Sequence, residues 1–164
     1  HQSALTIPDS ALRAAMGWAH WPARMQLLAD GPLRALAPQA SEIWLDGGHN
    51  PKAATMIAQF FAGDEKVDLI MGMLANKDAR NFLTLLAPIA RSVTAVPIPG
   101  HECYAPDQLC TMAGDAGIAH IAIAESVSAA LKQLGSQQDP APIAILGSLY
   151  LAGVVLAENN QLPD

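Results

Sequence analysis

This chain has little of what disulfide-built, metal-built or nucleic-acid-binding proteins rely on. Cys103 and Cys110 are its only cysteines. The count permits one bridge, but nothing resembles a cysteine scaffold or a zinc pattern, and cytosolic thiols are the better reading, with Cys110 packed on a helix. There is no basic run and no interleaving of aromatic with basic residues, and the net charge is −6. That argues against a nucleic-acid surface while leaving room for one bound nucleotide. No signal peptide is visible. The first residue, His1, is not an initiator Met, so the sequence reads as a processed product or a piece of something longer. One uncharged stretch, 140–157, approaches the length of a membrane span. Pro142 and Gly147-Ser148 divide it into a buried strand and a helix, so it is read as core and no membrane partner is expected.

Two phosphate-binding motifs are also absent. No Gly-x-x-x-x-Gly-Lys-Ser/Thr occurs, so the loop that cradles phosphates and the hydroxyl that holds magnesium are missing. No Gly-x-Gly-x-x-Gly follows the first strand, which disfavours a nicotinamide-binding domain.

What is present is regular. Half of the 164 residues are hydrophobic, enough for one domain with a substantial core. Apolar strand candidates begin near Ile43, Val67, Ser92, Ile118 and Ile143, roughly every 25 residues, the spacing of strand–helix units. Between them, Ala53, Met56, Ile57, Phe60 and Phe61 make one apolar stripe stopped by Gly63. Helices are expected over 78–90, 106–116 and 126–134, with a last one starting at Ser148. This alternation predicts a Rossmann-like α/β fold, a mostly parallel sheet with helices on both faces. An extra N-terminal strand over 25–28 would pair near Ile43–Leu45 through a turn at Asp30-Gly31-Pro32. A short helix over 9–17 precedes it.

In such sheets ligands sit beyond the carboxyl ends of the strands. That edge carries Asp46-Gly47-Gly48-His49-Asn50-Pro51-Lys52, the most informative segment of the chain. Its glycines allow close backbone approach, Asn50 is a good N-cap and Pro51 suits the first helical position. A carboxylate and an imidazole thus gather at a helix N-terminus that favours an anion such as phosphate. The same edge carries Gly72–Asp78, Gly147-Ser148 and a polar loop with His101, Glu102 and Tyr104.

Four segments in this order resemble the C-terminal domain of the Mur ligase superfamily, most closely its folylpolyglutamate synthase / dihydrofolate synthase branch. They are Trp21-Pro22-Ala23-Arg24, Asp46–Pro51, Gly72-Met73-Leu74-Ala75-Asn76-Lys77-Asp78 and Gly147-Ser148. Ala23 stands where that branch has glycine, Gly48 where it has alanine, and the segment 28–41 looks long. The resemblance implies a division into residues 1–20, a linker and short helix from a preceding domain, and residues 21–164, the glutamate-ligase domain. It implies an ATP-dependent cytoplasmic enzyme that joins L-glutamate to dihydropteroate or a folate through an acyl phosphate. The P-loop and magnesium ligands would lie on a missing central domain, so this chain alone should be inactive. Arg24 then reaches the ATP phosphates, Asp46 the ribose, and His49 touches phosphate or orients Asp46. Lys77 and Ser148 hold the incoming amino acid's carboxylates. Each has a simpler reading: a surface arginine, a turn aspartate, a histidine bonded to backbone, a solvated lysine and a helix-capping serine. Two alternatives stay open, a ligase for a cell-wall precursor and a non-catalytic nucleotide-binding module. No motif gives work to His101, Glu102 or Tyr104.

Overall fold

The computed structural model describes residues 23–63 and 65–162. The helix expected over 9–17, the segment 1–20 and the Trp21-Pro22 approach lie outside them. Six strands form one sheet: β1 (Gln26–Leu27), β2 (Ile43–Asp46), β3 (Val67–Met71), β4 (Ala90–Ala95), β5 (His120–Ile123) and β6 (Ile143–Leu146). Their order is β1-β2-β6-β3-β4-β5, with β1 antiparallel to β2 and the remaining pairs parallel. Every residue of β3 and β6 is buried, as expected of central parallel strands covered on both faces.

Helices α1 (Pro51–Phe60), α2 (Ala79–Leu86) and α3 (Pro106–Asp115) contribute to one core, with Ile57, Phe82, Leu83 and Leu109. Helices α4 (Val127–Gly135) and α5 (Leu149–Glu158) contribute to the other, with Leu131, Leu151 and Val155. The fold is therefore the α/β arrangement with helices on both faces that the periodicity predicts. The extra strand also pairs where expected, Gln26 opposite Leu45 and Leu27 opposite Trp44.

Three expectations need correction. The helix predicted to reach Ala90 stops at Leu86, because Pro88 has no N–H to continue the i→i−4 ladder. The Ile89 N–H instead bonds Leu86 O at 3.0 Å, and Ile89 O accepts from Val67 N, so the sheet resumes at Ala90 rather than Ser92. The strand expected from Ile118 begins at His120, after a turn at Gly117 (φ 88°). Finally, α1 buries Ala54 and Ile57, whereas Met56 and Phe60 are exposed. Phe60 packs edge-on against Trp44 and Phe61 rather than entering the core.

β6 lies between β2 and β3, so chain order reverses direction there, a switch point that leaves a crevice at the carboxyl edge. Asp46 and Met71 both stand opposite Leu146. The loops after β2, β3 and β6 consequently leave the sheet side by side.

Candidate functional site

Three cavities run in series along this edge. The first, about 350 Å³, is lined by Arg24, Asp46, Gly48, His49, Met56 and Leu149, among others. The second, about 490 Å³, shares His49 and Leu149 with it and adds Asn76, Lys77, Ser148 and Tyr150. The third, about 390 Å³, shares Leu74, Asn76 and Tyr150 with the second and adds His101 and Glu102. All five expected site residues thus meet in one trough, Arg24 and Asp46 at one end, His49 between, Lys77 and Ser148 beyond.

Asp46 is committed to its own loops. Its Oδ2 accepts from Met25 N at 2.8 Å and its Oδ1 from Gly48 N at 2.6 Å. With Gly47 N donating to Ala23 O at 2.8 Å, these bonds clamp the Arg24 turn onto the loop after β2. The turn needs such a clamp, since Ala23 (φ 59°) and Met25 (φ 41°) both hold left-handed backbone that costs non-glycine residues energy. The carboxylate has lone pairs left for a ligand, but its first task here is to place Arg24.

His49 takes the backbone-bonded reading. Its Nδ1 lies 3.0 Å from Gly47 O, and a carbonyl only accepts, so Nδ1 carries the proton. No hydrogen bond joins His49 to Asp46 among the described residues.

The glycines of this loop answer to the protein first. A Cβ on Gly47 would fall 2.2 Å from Leu149 Cδ2, and one on Gly48 would fall 2.6 Å from both Ala53 Cβ and Asp46 Oδ1. Gly48, where the family pattern has alanine, therefore fits this particular packing. The N-terminus of α1 is likewise less open than expected. Pro51 has no N–H and Asn50 Oδ1 caps Ala53 N at 2.9 Å, which leaves the Lys52 N–H for an anion. Positive charge at this end comes chiefly from Arg24.

At the other end, Ser148 caps α5, its Oγ accepting from Tyr150 N at 3.1 Å. That bond uses an oxygen lone pair and leaves the hydroxyl proton for a partner in the cavity. Gly147 (φ 104°) makes the sharp turn before it, with its Cα packed against Gly72 O. Lys77 is half-buried on the facing loop, and its ammonium has no hydrogen-bond or ion-pair partner among the described residues. Asp78 caps α2, accepting from Asn81 N at 3.1 Å.

The opposite edge holds a cluster the motifs do not reveal. Asp68, on β3, is 1% exposed and accepts from Arg91 Nε at 2.9 Å, from Arg91 Nη2 and from Ser92 Oγ at 2.6 Å. Arg91 also bonds Asp139 O and Gln137 Oε1, and the hydrogen bond to Asp68 raises its already high pKa. The alternation of an aspartate inside an apolar run was the available signal. The cluster lies away from the trough and braces strands. Cys110 packs on α3 as expected, and burial pushes its thiol pKa up.

Among the described residues no group of three or more His, Cys, Asp or Glu side chains could hold a metal ion. No helix there is long and apolar enough to cross a membrane.

The site thus defines a class, an α/β domain that presents one arginine-bearing and one lysine-bearing pocket at a sheet switch point. Residues 30–158 match the family model described as dihydrofolate synthetase, C-terminal domain, and the chain belongs to that family. It is 31% identical to a folylpolyglutamate synthase of Lacticaseibacillus casei over 158 residues, covering 94% of this chain and 33% of that protein. A dihydrofolate synthase/folylpolyglutamate synthase of Bacillus subtilis is 30% identical over 91 residues, 53% of this chain and 19% of that protein. The chain therefore spans a third or less of these relatives. A Mycobacterium tuberculosis folylpolyglutamate synthase, complexed with ADP and AMPPCP, shares the fold with a TM-score of 0.75 at 22% identity, covering 97% of this chain and 37% of that one. A bifunctional folylpolyglutamate synthase/dihydrofolate synthase from Yersinia pestis has a TM-score of 0.71 at 25% identity, over 93% of this chain and 34% of that one.

Proposed function

We propose that this chain is the C-terminal domain of an ATP-dependent cytoplasmic ligase that adds L-glutamate to dihydropteroate or a folate. The observation carrying this reading is the convergence of Lys77 and Ser148 on one cavity joined through His49 to the Arg24 end. ATP, when bound, supplies the phosphoryl group that activates the acceptor carboxylate, with magnesium held by ligands outside this chain. Arg24 meets phosphate charge with a guanidinium fork, and the Asp46 clamp fixes where that fork starts. Asp46 retains lone pairs for ribose hydroxyls, and His49 lines both cavities. Lys77 and the Ser148 hydroxyl receive the carboxylates of glutamate. Catalysis of this kind depends on position and charge neutralisation rather than on a nucleophilic side chain. The two free thiols suit a reducing compartment.

The test is ADP release by the full-length protein with dihydropteroate or a folate present. Turnover should require both that acceptor and L-glutamate, and the 164 residues alone should show none. Turnover with a cell-wall precursor and not with either pterin acceptor would refute the folate assignment.

A further inference from the structure

Lys77 stands on a loop whose shape is set locally. Its N–H donates to Leu74 O at 3.1 Å, and Ala79 N donates to Lys77 O at 3.1 Å, so the turn closes on itself just before α2. Bonds between near neighbours fold a turn without fixing where it stands against the rest of the edge. The loop after β4 supplies that reference. Leu74 and Cys103 form an antiparallel bridge, Ala75 N donates to Glu102 O at 3.4 Å and Tyr104 N to Met73 O at 2.9 Å. This backbone zip reaches Ala75 and stops short of Lys77.

Tyr104 carries the contact to Lys77 itself. Its hydroxyl lies 2.8 Å from Lys77 O, and since a carbonyl only accepts, the phenol donates. The tyrosine is half-buried and packs against the core that holds Phe82, Leu83 and Leu109. Pro106 opens α3 two residues later, so the ring is rooted in the core and beside a helix start. Lys77, by contrast, has no side-chain partner among the described residues. Where its ammonium enters the cavity therefore depends on where its main chain is held.

We infer that Tyr104 is a positioning residue of the amino-acid pocket, its hydroxyl fixing the main chain from which Lys77 reaches the incoming carboxylate. The inference rests on the ligase reading and on the role given there to Lys77. Neither loop contributes a residue to the lining of the Arg24 cavity, so the nucleotide end lies outside the reach of this contact.

Tyr104→Phe in the full-length protein tests this, since it keeps the ring and its packing and removes only the oxygen. Lys77 O retains its bond from Ala79 N, so no buried carbonyl is orphaned and folding is not at stake. The Michaelis constant for L-glutamate should rise about 3- to 10-fold, the range for one neutral hydrogen bond, and that for ATP should stay within twofold. Added to Lys77→Ala, the same change should alter the glutamate constant less than about twofold, because two residues acting through one contact are not additive. A glutamate constant raised by Lys77→Ala but untouched by Tyr104→Phe would overturn the inference and leave Lys77 in place. A rise shared by ATP, or one that persists in full on top of Lys77→Ala, would also overturn it by marking a structural role. Absence of glutamate-dependent turnover in the wild type would instead refute the ligase reading on which the inference rests.

Discussion

Asp46 Oδ2 accepts a hydrogen bond from Met25 N at 2.8 Å, tying the arginine-bearing turn to the loop after β2. A carboxylate can satisfy Met25 N and Gly48 N together because both of its oxygens accept. An asparagine cannot, because its amide nitrogen would face one of those N–H groups. Asp46→Asn should therefore cost about 1–3 kcal/mol of local stability and loosen Arg24. Steady-state kinetics should show a larger rise in the Michaelis constant for ATP than for glutamate. The reverse ordering would move Asp46 to the amino-acid end.

Gly147 turns with φ 104° and its missing Cβ would lie 2.6 Å from Gly72 O, so Gly147→Ala meets strain and a backbone clash at once. It should destabilise the protein by about 1–3 kcal/mol and displace Ser148, raising the glutamate constant. Gly153, exposed in α5 with nothing near its Cα hydrogen direction, provides the contrast. Gly153→Ala should stabilise by about 0.5–1 kcal/mol and leave the kinetics unchanged. Denaturant midpoints of the two variants moving the same way would contradict this account of the edge.

Asp68→Ala leaves the Arg91 guanidinium beside a cavity in a largely buried site. The cost should be about 3 kcal/mol, read as a fall in the urea midpoint. Michaelis constants should stay within twofold, because the cluster sits at the amino edge of the sheet. A kinetic defect without a stability defect would mean that it reaches the trough.

How much of this was legible depends on what each residue does. The meeting of Lys77 with Ser148 followed from sequence, since both come just after parallel strands and such strands deliver their loops to one edge. The register confirms the reason, with Asp46 and Met71 level opposite Leu146. The commitment of Asp46 to Met25 N was not legible, because it depends on the left-handed backbone of Ala23 and Met25, which no residue there announces. Helix α1 misled because its apolar residues cover more than one face, and Met56 serves the cavity rather than the core. Pro88 marks the early end of α2, whereas the helical spacing of Phe82, Leu85, Leu86 and Ile89 runs on past it. Asp68 and Arg91 come from neighbouring strands with no shared motif, so their pairing had to be seen in three dimensions.

The central claim is that one trough serves two ligands, the nucleotide at Arg24 and the amino acid at Lys77. The most direct measurement is the steady-state kinetics of Arg24→Ala and Lys77→Ala in the full-length protein. Arg24→Ala should lower kcat about 10- to 100-fold with the glutamate constant within twofold. Lys77→Ala should raise the glutamate constant at least tenfold, about 1.4 kcal/mol, with that for ATP within twofold. Wild-type kinetics in either variant, or the same constants altered in both, would contradict the division of the trough.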